Sequence, residues 1–347
     1  MRNPLIFASF LLAIHSSVAA GPPLEGSPAE HLPPYITQLT AFGERPDWSP
    51  DGKRLLFLSK TYGDVMEIDL ATRAIHNLTA HFPHVGFARA LYLPNGDILL
   101  SGPDSFDPKH PAEARIHCFL SVLDKSLTKP PAPLGIRCNE GPAVSRRRLH
   151  IAWTEWLDQP TSDVSPRSSQ ISEADIVYEE GAPKLANQRL ALSSGELPFD
   201  CTMETQNFRP PDERELTFSA YTKKGGASDV CGVDLATQKV TKYTDTPDEY
   251  DEPEGIYPDG QHTLVECDRQ NHLGNGHIDL WRLALDGSGD YQRLTHFSDH
   301  KDYKASNPVV SDDGRFFAFQ MGHAGESAGV GHGVFVYDIE KAAAAGP

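Results

Sequence analysis

Residues 45–57 read Arg45-Pro46-Asp47-Trp48-Ser49-Pro50-Asp51-Gly52-Lys53-Arg54-Leu55-Leu56-Phe57. A Ser-Pro-Asp-Gly turn lies here between two short segments, each of which has the apolar residues of a β-strand. Proline presets one dihedral angle of a tight turn and glycine accepts a positive φ, so the segment predicts a β-hairpin. Weaker copies of it occur at 91–100, 256–260 and 306–319. A hairpin that recurs along a chain indicates a repeat architecture.

Alignment on these turns divides the chain into six units, at 44–82, 84–134, 135–194, 197–248, 249–298 and 300–339. The first and fifth units end in a strand that closes with Leu-Thr, and the sixth unit lacks one. Residues 35–40, Tyr-Ile-Thr-Gln-Leu-Thr, form an extra copy near the N-terminus. We predict that this strand completes the last unit, which gives an all-β, six-bladed β-propeller without an open sheet edge. The alternatives are seven blades, an open array or a two-sheet sandwich. Within the third unit, we predict a polar loop at 161–174.

The ends of the chain predict the domain organisation. Residues 1–20 combine Arg2, an apolar run and the small residues Val18-Ala19-Ala20, a pattern typical of a secretory signal peptide. Residues 21–34 hold five prolines and predict an extended lead-in without a core of its own. We expect a single propeller domain at 35–342 and a C-terminal tail at 343–347. No later segment approaches the roughly 18 apolar residues of a membrane span, so we expect a secreted protein, extracellular or periplasmic.

Charge and cysteine content exclude several classes of function. The formal net charge of −17 argues against nucleic acid and anionic membranes as partners, because both require clustered lysine and arginine. We expect a monomer. None of the five cysteines stands in a Cys-x-x-Cys pair, which argues against a zinc ribbon and leaves one or two disulfides open. We favour Cys138–Cys201, although spacing alone does not determine the pairing. Asn77-Leu78-Thr79 is a glycosylation sequon.

One face of a propeller collects the loops that lead into the innermost strands and the loops that follow the second strands. The expected contributors are Glu44, Arg45, Lys60, Arg89, Asp104, Glu140, Glu155, Trp156, Glu204, Gln206, Tyr221, Glu252, Glu254, Asp268, Arg269, Asn307, Gln320 and His323. Glutamate recurs at the equivalent position of four blades, and converging carboxylates raise one another's pKa or attract a cation. Trp156 is a candidate for stacking on a sugar ring. The alternative is that these are ordinary solvated loops.

Histidines concentrate toward the C-terminus, where seven of the fifteen follow residue 260. His272 and His277 follow the second strand of the fifth unit, and His323 follows that of the sixth. Imidazole suits a transition metal or proton transfer near neutral pH. The pattern therefore predicts a metal or acid–base site between these two units, with surface histidines as the alternative.

The Pro-Asp-Trp-Ser-Pro-Asp-Gly-Lys segment resembles the repeat of TolB-like, WD-like propellers over essentially the whole mature chain. That group includes binding proteins, peptidase propeller domains and oligogalacturonate lyases. Gln320-Met321-Gly322-His323 resembles part of the Gln-x-x-His-x-His metal-binding segment of the lyases. The resemblance implies Gln320 and His323 as ligands of a divalent metal (Mn, Ca or Zn), with His277 or His272 nearest to the remaining histidine. The second histidine of that segment is replaced by Gly325.

The same resemblance implies a lyase that breaks a saccharide by β-elimination next to a carboxylate. Such a reaction needs a neutralised carboxylate, a base and a proton donor. Arg89, Arg45 or Arg269 would hold the carboxylate, and His323 or His277 would act as base. Glu204 or Glu252 would protonate the leaving oxygen if its pKa is raised. Glycoside hydrolysis by paired carboxylates is open on the same face. The further alternatives are a non-catalytic propeller that binds a protein or glycan, and a tailoring enzyme of small-molecule biosynthesis.

Overall fold

The structure is a computed structural model that describes residues 22–139, 141–157, 168–222, 226–326 and 329–346. The predicted leader at 1–20 lies outside these residues and stays a prediction. The described chain consists mainly of β-strands. Its helices are all too short to cross a lipid bilayer.

The strands up to residue 200 are β1 (Ile36–Gln38), β2 (Glu44–Trp48), β3 (Arg54–Leu58), β4 (Val65–Asp69), β5 (Ile75–Asn77), β6 (Arg89–Tyr92), β7 (Ile98–Pro103), β8 (Cys118–Leu123), β9 (Ala132–Arg137), β10 (Ala143–Val144), β11 (His150–Trp156), β12 (Ser169–Glu179) and β13 (Ala182–Ser193). The later strands are β14 (Thr202–Phe208), β15 (Glu215–Tyr221), β16 (Ser228–Asp234), β17 (Val240–Lys242), β18 (Asp251–Ile256), β19 (His262–Cys267), β20 (Asp279–Ala284), β21 (Tyr291–Arg293), β22 (Tyr303–Val310), β23 (Phe316–His323) and β24 (Val334–Asp338). The helices are α1 (Pro111–Ala114) and α2 (Ile339–Ala345), with 3₁₀ turns at Pro28–His31, Arg115–His117, Ser194–Glu196 and Phe297–Asp299.

The described strands form six antiparallel sheets of four strands each. Blades 1 to 5 are the consecutive sheets β2–β5, β6–β9, β10–β13, β14–β17 and β18–β21, and blade 6 has the order β22-β23-β24-β1. The predicted six-bladed β-propeller is therefore confirmed. The unit borders also agree, except that residue 134 falls within β9 rather than between blades.

The repeated turn has the same hydrogen bonds in different blades. In blade 1, the Gly52 N–H donates to the Ser49 carbonyl at 2.8 Å, and Gly52 has a φ of 66°. In blade 6, the Gly314 N–H donates to the Ser311 carbonyl at 2.8 Å, with a φ of 70° at Gly314. Glycine is required here because a side chain disfavours this backbone conformation. The sequence repeat is thus a repeat of one hairpin geometry.

The ring closes through the N-terminal strand, as predicted. β1 pairs antiparallel with β24, with Ile36 opposite Tyr337 and Gln38 opposite Phe335. The Leu39 N–H extends this ladder by donating to the Val334 carbonyl at 2.8 Å. Blade 6 therefore joins the first and last strands of the propeller and leaves no open gap between them.

The hydrophobic core lies between neighbouring blades. Leu56 and Leu58 of blade 1 pack with Tyr92 and Leu100 of blade 2, and the other described blades meet through similar apolar clusters. Because apolar side chains fill these interfaces, polar side chains are left to line the propeller axis. This distribution of apolar and polar side chains places the candidate site at the propeller axis.

The proline-rich lead-in is attached to the propeller. Its described part, residues 22–34, packs against the propeller: Ala29 and Leu32 contact the apolar cluster of blades 5 and 6, and Pro28 is buried. The Leu24 N–H also donates to the Asp299 carbonyl at 2.8 Å. The lead-in therefore shares the core of the propeller, although it has none of its own.

Blade 3 and the C-terminus also differ from expectation. The predicted loop at 161–174 is wrong from Ser169 onward, where β12 begins; its residues 161–167 lie outside the described part. β12 and β13 extend as a long polar hairpin, whose mixed composition hid it from pattern analysis. Residues 343–345 of the predicted tail belong to α2, which Asp338 caps by accepting from the Lys341 N–H at 3.0 Å.

All five cysteines are buried, and the favoured Cys138–Cys201 disulfide is not formed. Cys138 packs with Trp153 at the interface of blades 2 and 3. Cys201 packs with Met203 at the interface of blades 3 and 4. The two sulfur atoms thus belong to different blade interfaces. Asn77 is exposed at the end of β5, and its glycosylation stays a prediction.

Candidate functional site

A cavity of about 590 Å³ opens at one end of the propeller axis. Its walls come from the first residues of the innermost strands and the last residues of the second strands, as the sequence predicts. The lining includes Glu44, Arg45, Arg89, Trp156, Glu204, Tyr221, Tyr250, Glu252, Glu254, Glu266, Lys304, Asn307, Gln320 and His323. We call this cavity the axial pocket.

Backbone bulges aim the innermost side chains at the axis. The strand register shifts between Thr205 and Asn207 in β14, and between Pro253 and Gly255 in β18. Comparable shifts interrupt β2 and β22. A bulge bends the strand and turns its extra residue out of the ladder, which is why bulges often stand beside active sites. Here the extra residue of β18 is Glu254, a wall of the axial pocket.

Five glutamates converge in the axial pocket, and four of them are almost fully buried. The five are Glu44, Glu204, Glu252, Glu254 and Glu266, and all except Glu254 are almost fully buried. Three of these occupy the recurrent position that the sequence singled out; the fourth member of that set, Glu140, lies outside the described residues. Burying a carboxylate is costly unless it is protonated, paired or hydrogen-bonded. The contacts of each one therefore indicate its protonation state.

The Tyr221 hydroxyl bridges two of these carboxyl groups. Its oxygen lies 2.9 Å from Glu204 Oε2 and 2.5 Å from Glu252 Oε1. The Tyr250 hydroxyl donates to the other oxygen of Glu252. The Tyr221 phenol carries a single hydrogen, so the two carboxyl groups share one donor. A proton on one of the glutamates would supply the second hydrogen bond.

The electrostatics favour Glu252 as a protonated group. Burial raises the pKa of Glu252 to about 7, and the charge of Glu254 acts in the same direction. Burial, with the charges of Glu252 and Glu254, also raises the pKa of Glu266 well above its usual value. Burial is the first cause in both cases because the low-dielectric wall disfavours the charged form. The axial pocket thus holds proton donors beside ionised carboxylates.

Arg89 neutralises the floor of the axial pocket. Its Nη2 lies 3.0 Å from Glu254 Oε1, and the Asn307 side-chain amide donates to the same oxygen at 3.0 Å. Burial alone would lower the pKa of Arg89, but the charges of Glu254, Glu204 and Glu252 raise it above its usual value. Arg89 is therefore a permanent cation held among carboxylates. The Asn307 N–H adds a 2.5 Å bond to Glu266.

The structure brings four of the predicted site residues together and leaves three apart. Arg89, Glu204, Gln320 and His323 line the axial pocket. Arg269 instead pairs with Glu249 at 3.4 Å and lies over the Tyr291 ring. The remaining two, His272 and His277, are also absent from the pocket wall, and the side chain of His272 is 58% exposed.

The predicted metal ligands are divided: Gln320 and His323 line the axial pocket, and His272 and His277 do not. Gln320 Oε1 accepts the Arg45 N–H at 2.6 Å, and His323 Nδ1 lies 3.0 Å from the Ala324 carbonyl. Among the described residues, the group of three or more His, Cys, Asp or Glu with ligand atoms within 4.8 Å of one another is elsewhere and contains no histidine. We therefore assign no step in the pocket to a metal.

Sequence analysis missed Tyr250, Glu266 and Lys304 as pocket residues. Glu266 stands within β19 rather than in the loop after it, and its side chain reaches the axis from there. Tyr250 precedes the recurrent glutamate by two positions and therefore points to the same side of the strand. That alternation, Tyr250 and then Glu252, is the signal that would have identified Tyr250.

Comparisons with known proteins show the fold. An oligogalacturonate lyase from Vibrio parahaemolyticus has a TM-score of 0.51 at 14% identity, covering 87% of this chain and 80% of that chain. An oligogalacturonate lyase in complex with manganese has a TM-score of 0.48 at 15% identity, covering 87% and 79%. TolB from Acinetobacter baumannii has a TM-score of 0.46 at 17% identity, covering 88% of this chain and 65% of that chain.

These identities are low, and the likeness extends to the propeller fold alone. The structural neighbours thus include the groups that the repeat resembles, one of them enzymes and the other TolB-like propellers. No protein-family model matches the chain, and no curated protein matches it.

Proposed function

We propose that the protein is an exported enzyme that cleaves a glycosidic bond in the axial pocket by general acid–base catalysis, with Glu252 as the proton donor. The observation that carries this proposal is the Glu204–Tyr221–Glu252 contact, in which two buried carboxyl groups share one hydroxyl. Glycosidases use a protonated carboxyl group and an ionised one on either side of the bond. Burial raises the pKa of Glu252, which makes it a candidate for the protonated member of such a pair, and Glu204 would be the ionised one.

The donor role follows from the pKa of Glu252. A general acid works best when its pKa lies near the working pH, and burial brings Glu252 to about 7. Its proton would pass to the glycosidic oxygen as the bond to the anomeric carbon breaks. Glu204 would then either bond to the anomeric carbon, to be displaced later by water, or accept a proton from the water that bonds to that carbon directly.

The pocket walls suit a polyhydroxylated substrate. Carboxylate, amide, phenol and ammonium groups are spread over a cavity of about 590 Å³, which accommodates a small saccharide. Trp156 contributes an aromatic face to the same wall. A sugar ring offers hydroxyl groups to the polar side chains of the wall and an apolar face to Trp156.

Hydrolysis suits this geometry better than β-elimination. Elimination next to a uronate requires a cation for the substrate carboxylate, whereas Arg89 is already held by Glu254 at 3.0 Å. The ionised glutamates around the pocket also oppose the entry of an anionic substrate. Lys304 and Arg45 on the same wall are the observation that keeps elimination as the second candidate.

The test measures cleavage of a panel of neutral and acidic glycosides by wild type and by Glu252→Gln. New reducing ends report any cleavage, and ultraviolet absorbance of a conjugated double bond reports elimination. We expect reducing ends without that absorbance, and a loss of about 10²–10⁴-fold in kcat/KM in Glu252→Gln. The wild-type rate should fall as the pH rises through about 7, because Glu252 then loses its proton.

The matched control is Glu340→Gln, which changes a carboxylate with 69% side-chain exposure far from the axis. It should leave the rate unchanged. Ultraviolet absorbance from a conjugated double bond in the product would contradict hydrolysis and show that the protein is a lyase. Binding of a glycan without cleavage, measured by calorimetry on the same panel, would move it to a non-catalytic propeller.

A further inference from the structure

A buried hydroxyl group on the wall of the axial pocket has no partner in the fold. Ser306 stands on β22, the innermost strand of blade 6, and lines the pocket. It is 3% exposed, and its Oγ makes no hydrogen bond to any of the described residues. Buried polar atoms are almost always satisfied. An unpartnered hydroxyl group at the wall of a cavity therefore points to a ligand of that cavity.

The buried serines that support the fold differ from Ser306 in this respect. The Ser311 hydroxyl donates to Asp313 Oδ1 at 2.7 Å and so holds its own turn. The Ser219 hydroxyl accepts from Gln206 Nε2 at 3.1 Å. Ser306 has no such bond, so its hydroxyl group can rotate between staggered positions about the Cα–Cβ bond and reach a ligand.

Gln320 supplies a second polar group beside Ser306. It lies opposite Ser306 in the pairing of β22 with β23 and lines the same pocket. The Arg45 N–H donates to its Oε1 at 2.6 Å. Since a backbone N–H can only donate, this contact identifies the amide oxygen and directs the NH₂ group elsewhere. That NH₂ group has no acceptor among the described residues. Gln320 thus offers a fixed donor next to the Ser306 hydroxyl.

The two side chains stand beside the proposed proton donor. Asn307 follows Ser306, and its N–H donates to Glu266 Oε1 at 2.5 Å. Glu266 lies opposite Glu252 in the pairing of β18 with β19. A ring held by Ser306 and Gln320 would therefore lie next to the wall that carries Glu252.

We propose that Ser306 and Gln320 form a subsite that binds two adjacent hydroxyl groups of a neutral sugar ring. A sugar hydroxyl group both donates and accepts, so it can bond to the Ser306 hydroxyl in either sense and can accept from the Gln320 NH₂ group. Neither side chain carries a charge, so neither offers a counterion to an acidic sugar. This inference rests on the proposed function, because it names the part of the substrate that the axial pocket holds during cleavage.

Ser306→Ala separates substrate binding from stability. Because the hydroxyl group makes no bond in the fold, its removal should leave the thermal midpoint unchanged or raise it. KM for the neutral glycoside that wild type cleaves best should rise about 3- to 10-fold with kcat unchanged, since the lost bond forms in the bound substrate and the transition state alike. Gln320→Glu keeps the oxygen that accepts the Arg45 N–H and removes the NH₂ group, and it should raise KM at least as much.

Monodeoxy analogues of that glycoside identify the hydroxyl group that Ser306 binds. For one analogue, wild type should lose about the same factor in KM as Ser306→Ala loses with the parent glycoside. Ser306→Ala should lose nothing further with that analogue, because the bond is already gone. The matched control is Ser101→Ala, which removes another unpartnered, buried hydroxyl group, on β7 of blade 2. It should keep the wild-type KM.

The outcomes distinguish this subsite from the proposed function. An unchanged KM in Ser306→Ala, with cleavage intact, would overturn the subsite and leave the proposed function standing. If wild type binds the neutral glycosides without cleaving them, the proposed function fails, and a 3- to 10-fold rise of Kd in Ser306→Ala, measured by calorimetry, would still support the subsite. The absence of both cleavage and binding would overturn both.

Discussion

The Tyr221 hydroxyl determines how protons are arranged in the axial pocket. Since it lies within hydrogen-bonding distance of both Glu204 and Glu252, it makes the protonation of one depend on the other. Tyr250 restricts the choice further by donating to Glu252. Burial raises the pKa of both tyrosines well above the usual value, so neither ionises in the working range. The hydroxyl groups therefore remain hydrogen-bond donors while the glutamates exchange protons.

The pH dependence of stability tests this arrangement. Burial raises the folded-state pKa of Glu252 to about 7, from the usual value of 4.5. The folded state therefore binds more protons than the unfolded state between these two values, and stability falls as the pH rises through that range. Glu252→Gln removes this loss, so its free energy of unfolding relative to wild type should grow by about 2–3 kcal/mol from pH 4.5 to 7.5.

Urea denaturation at several pH values measures that difference. Glu340→Gln, with its carboxylate exposed, should follow wild type at every pH. A constant difference between Glu252→Gln and wild type would show that Glu252 ionises normally, and would remove the basis for its role as a proton donor.

Among the elements, β1 has a role out of proportion to its length. It is a three-residue strand, yet it supplies the outer edge of blade 6 and joins the two ends of the ring. The lead-in before it adds contacts between residues 22–34 and blades 5 and 6. The N-terminal region thus closes the propeller by backbone pairing and by apolar packing together.

Thr37→Pro tests closure by backbone pairing. Thr37 stands opposite Val336, and its side chain is exposed, so the substitution removes a ladder N–H without emptying the core. Proline cannot donate to a ladder. We expect a loss of at least about 1 kcal/mol in the free energy of unfolding by urea. Thr37→Ala keeps the N–H and should have a much smaller effect; equal effects would show that the side chain matters and the pairing does not.

How far the sequence predicts each element depends on how local its signal is. The Ser49–Gly52 turn and the extra strand at 35–40 depend on neighbouring residues, and both predictions are confirmed. The long hairpin of β12 and β13 is polar along much of its length, so no alternation reveals it. The recurrent glutamates locate the axial pocket, whereas Glu266 reaches it because it lies directly opposite Glu252 in the pairing of β18 with β19, which the sequence does not show.

Across the whole molecule, the axis is divided into two parts. Arg89, Glu254 and Asn307 separate the axial pocket from a cavity of about 70 Å³ on their other side. That second cavity is also lined by Asp47 and Arg146. The innermost strands of different blades therefore meet through ion pairs at two levels, while apolar clusters hold their outer parts. A charge removed from the axis should consequently affect several blades at once.

Arg146→Ala tests this axial ion pairing. Arg146 of blade 3 lies 2.6 Å from Asp47 of blade 1, donates to the Trp48 carbonyl at 3.2 Å and approaches Asp312 of blade 6 at 3.7 Å. Asp47 is 1% exposed, and it also accepts the Tyr92 N–H of blade 2. Removal of Arg146 would leave the buried charge of Asp47 without a compensating cation.

We expect Arg146→Ala to reduce the free energy of unfolding by about 3–5 kcal/mol at neutral pH, measured by urea denaturation. Burial raises the pKa of Asp47, and the charge of Arg146 opposes this, so removing Arg146 raises it further. The deficit should then shrink in acid, where Asp47 is protonated. Asp47→Asn combined with Arg146→Ala should recover part of the lost stability, because no buried charge remains.

The control is Arg214→Ala, which breaks a surface pair with 63% exposure of the arginine and should cost about 0–1 kcal/mol. A loss for Arg146→Ala no larger than that of Arg214→Ala would mean that the apolar blade interfaces alone hold the ring together.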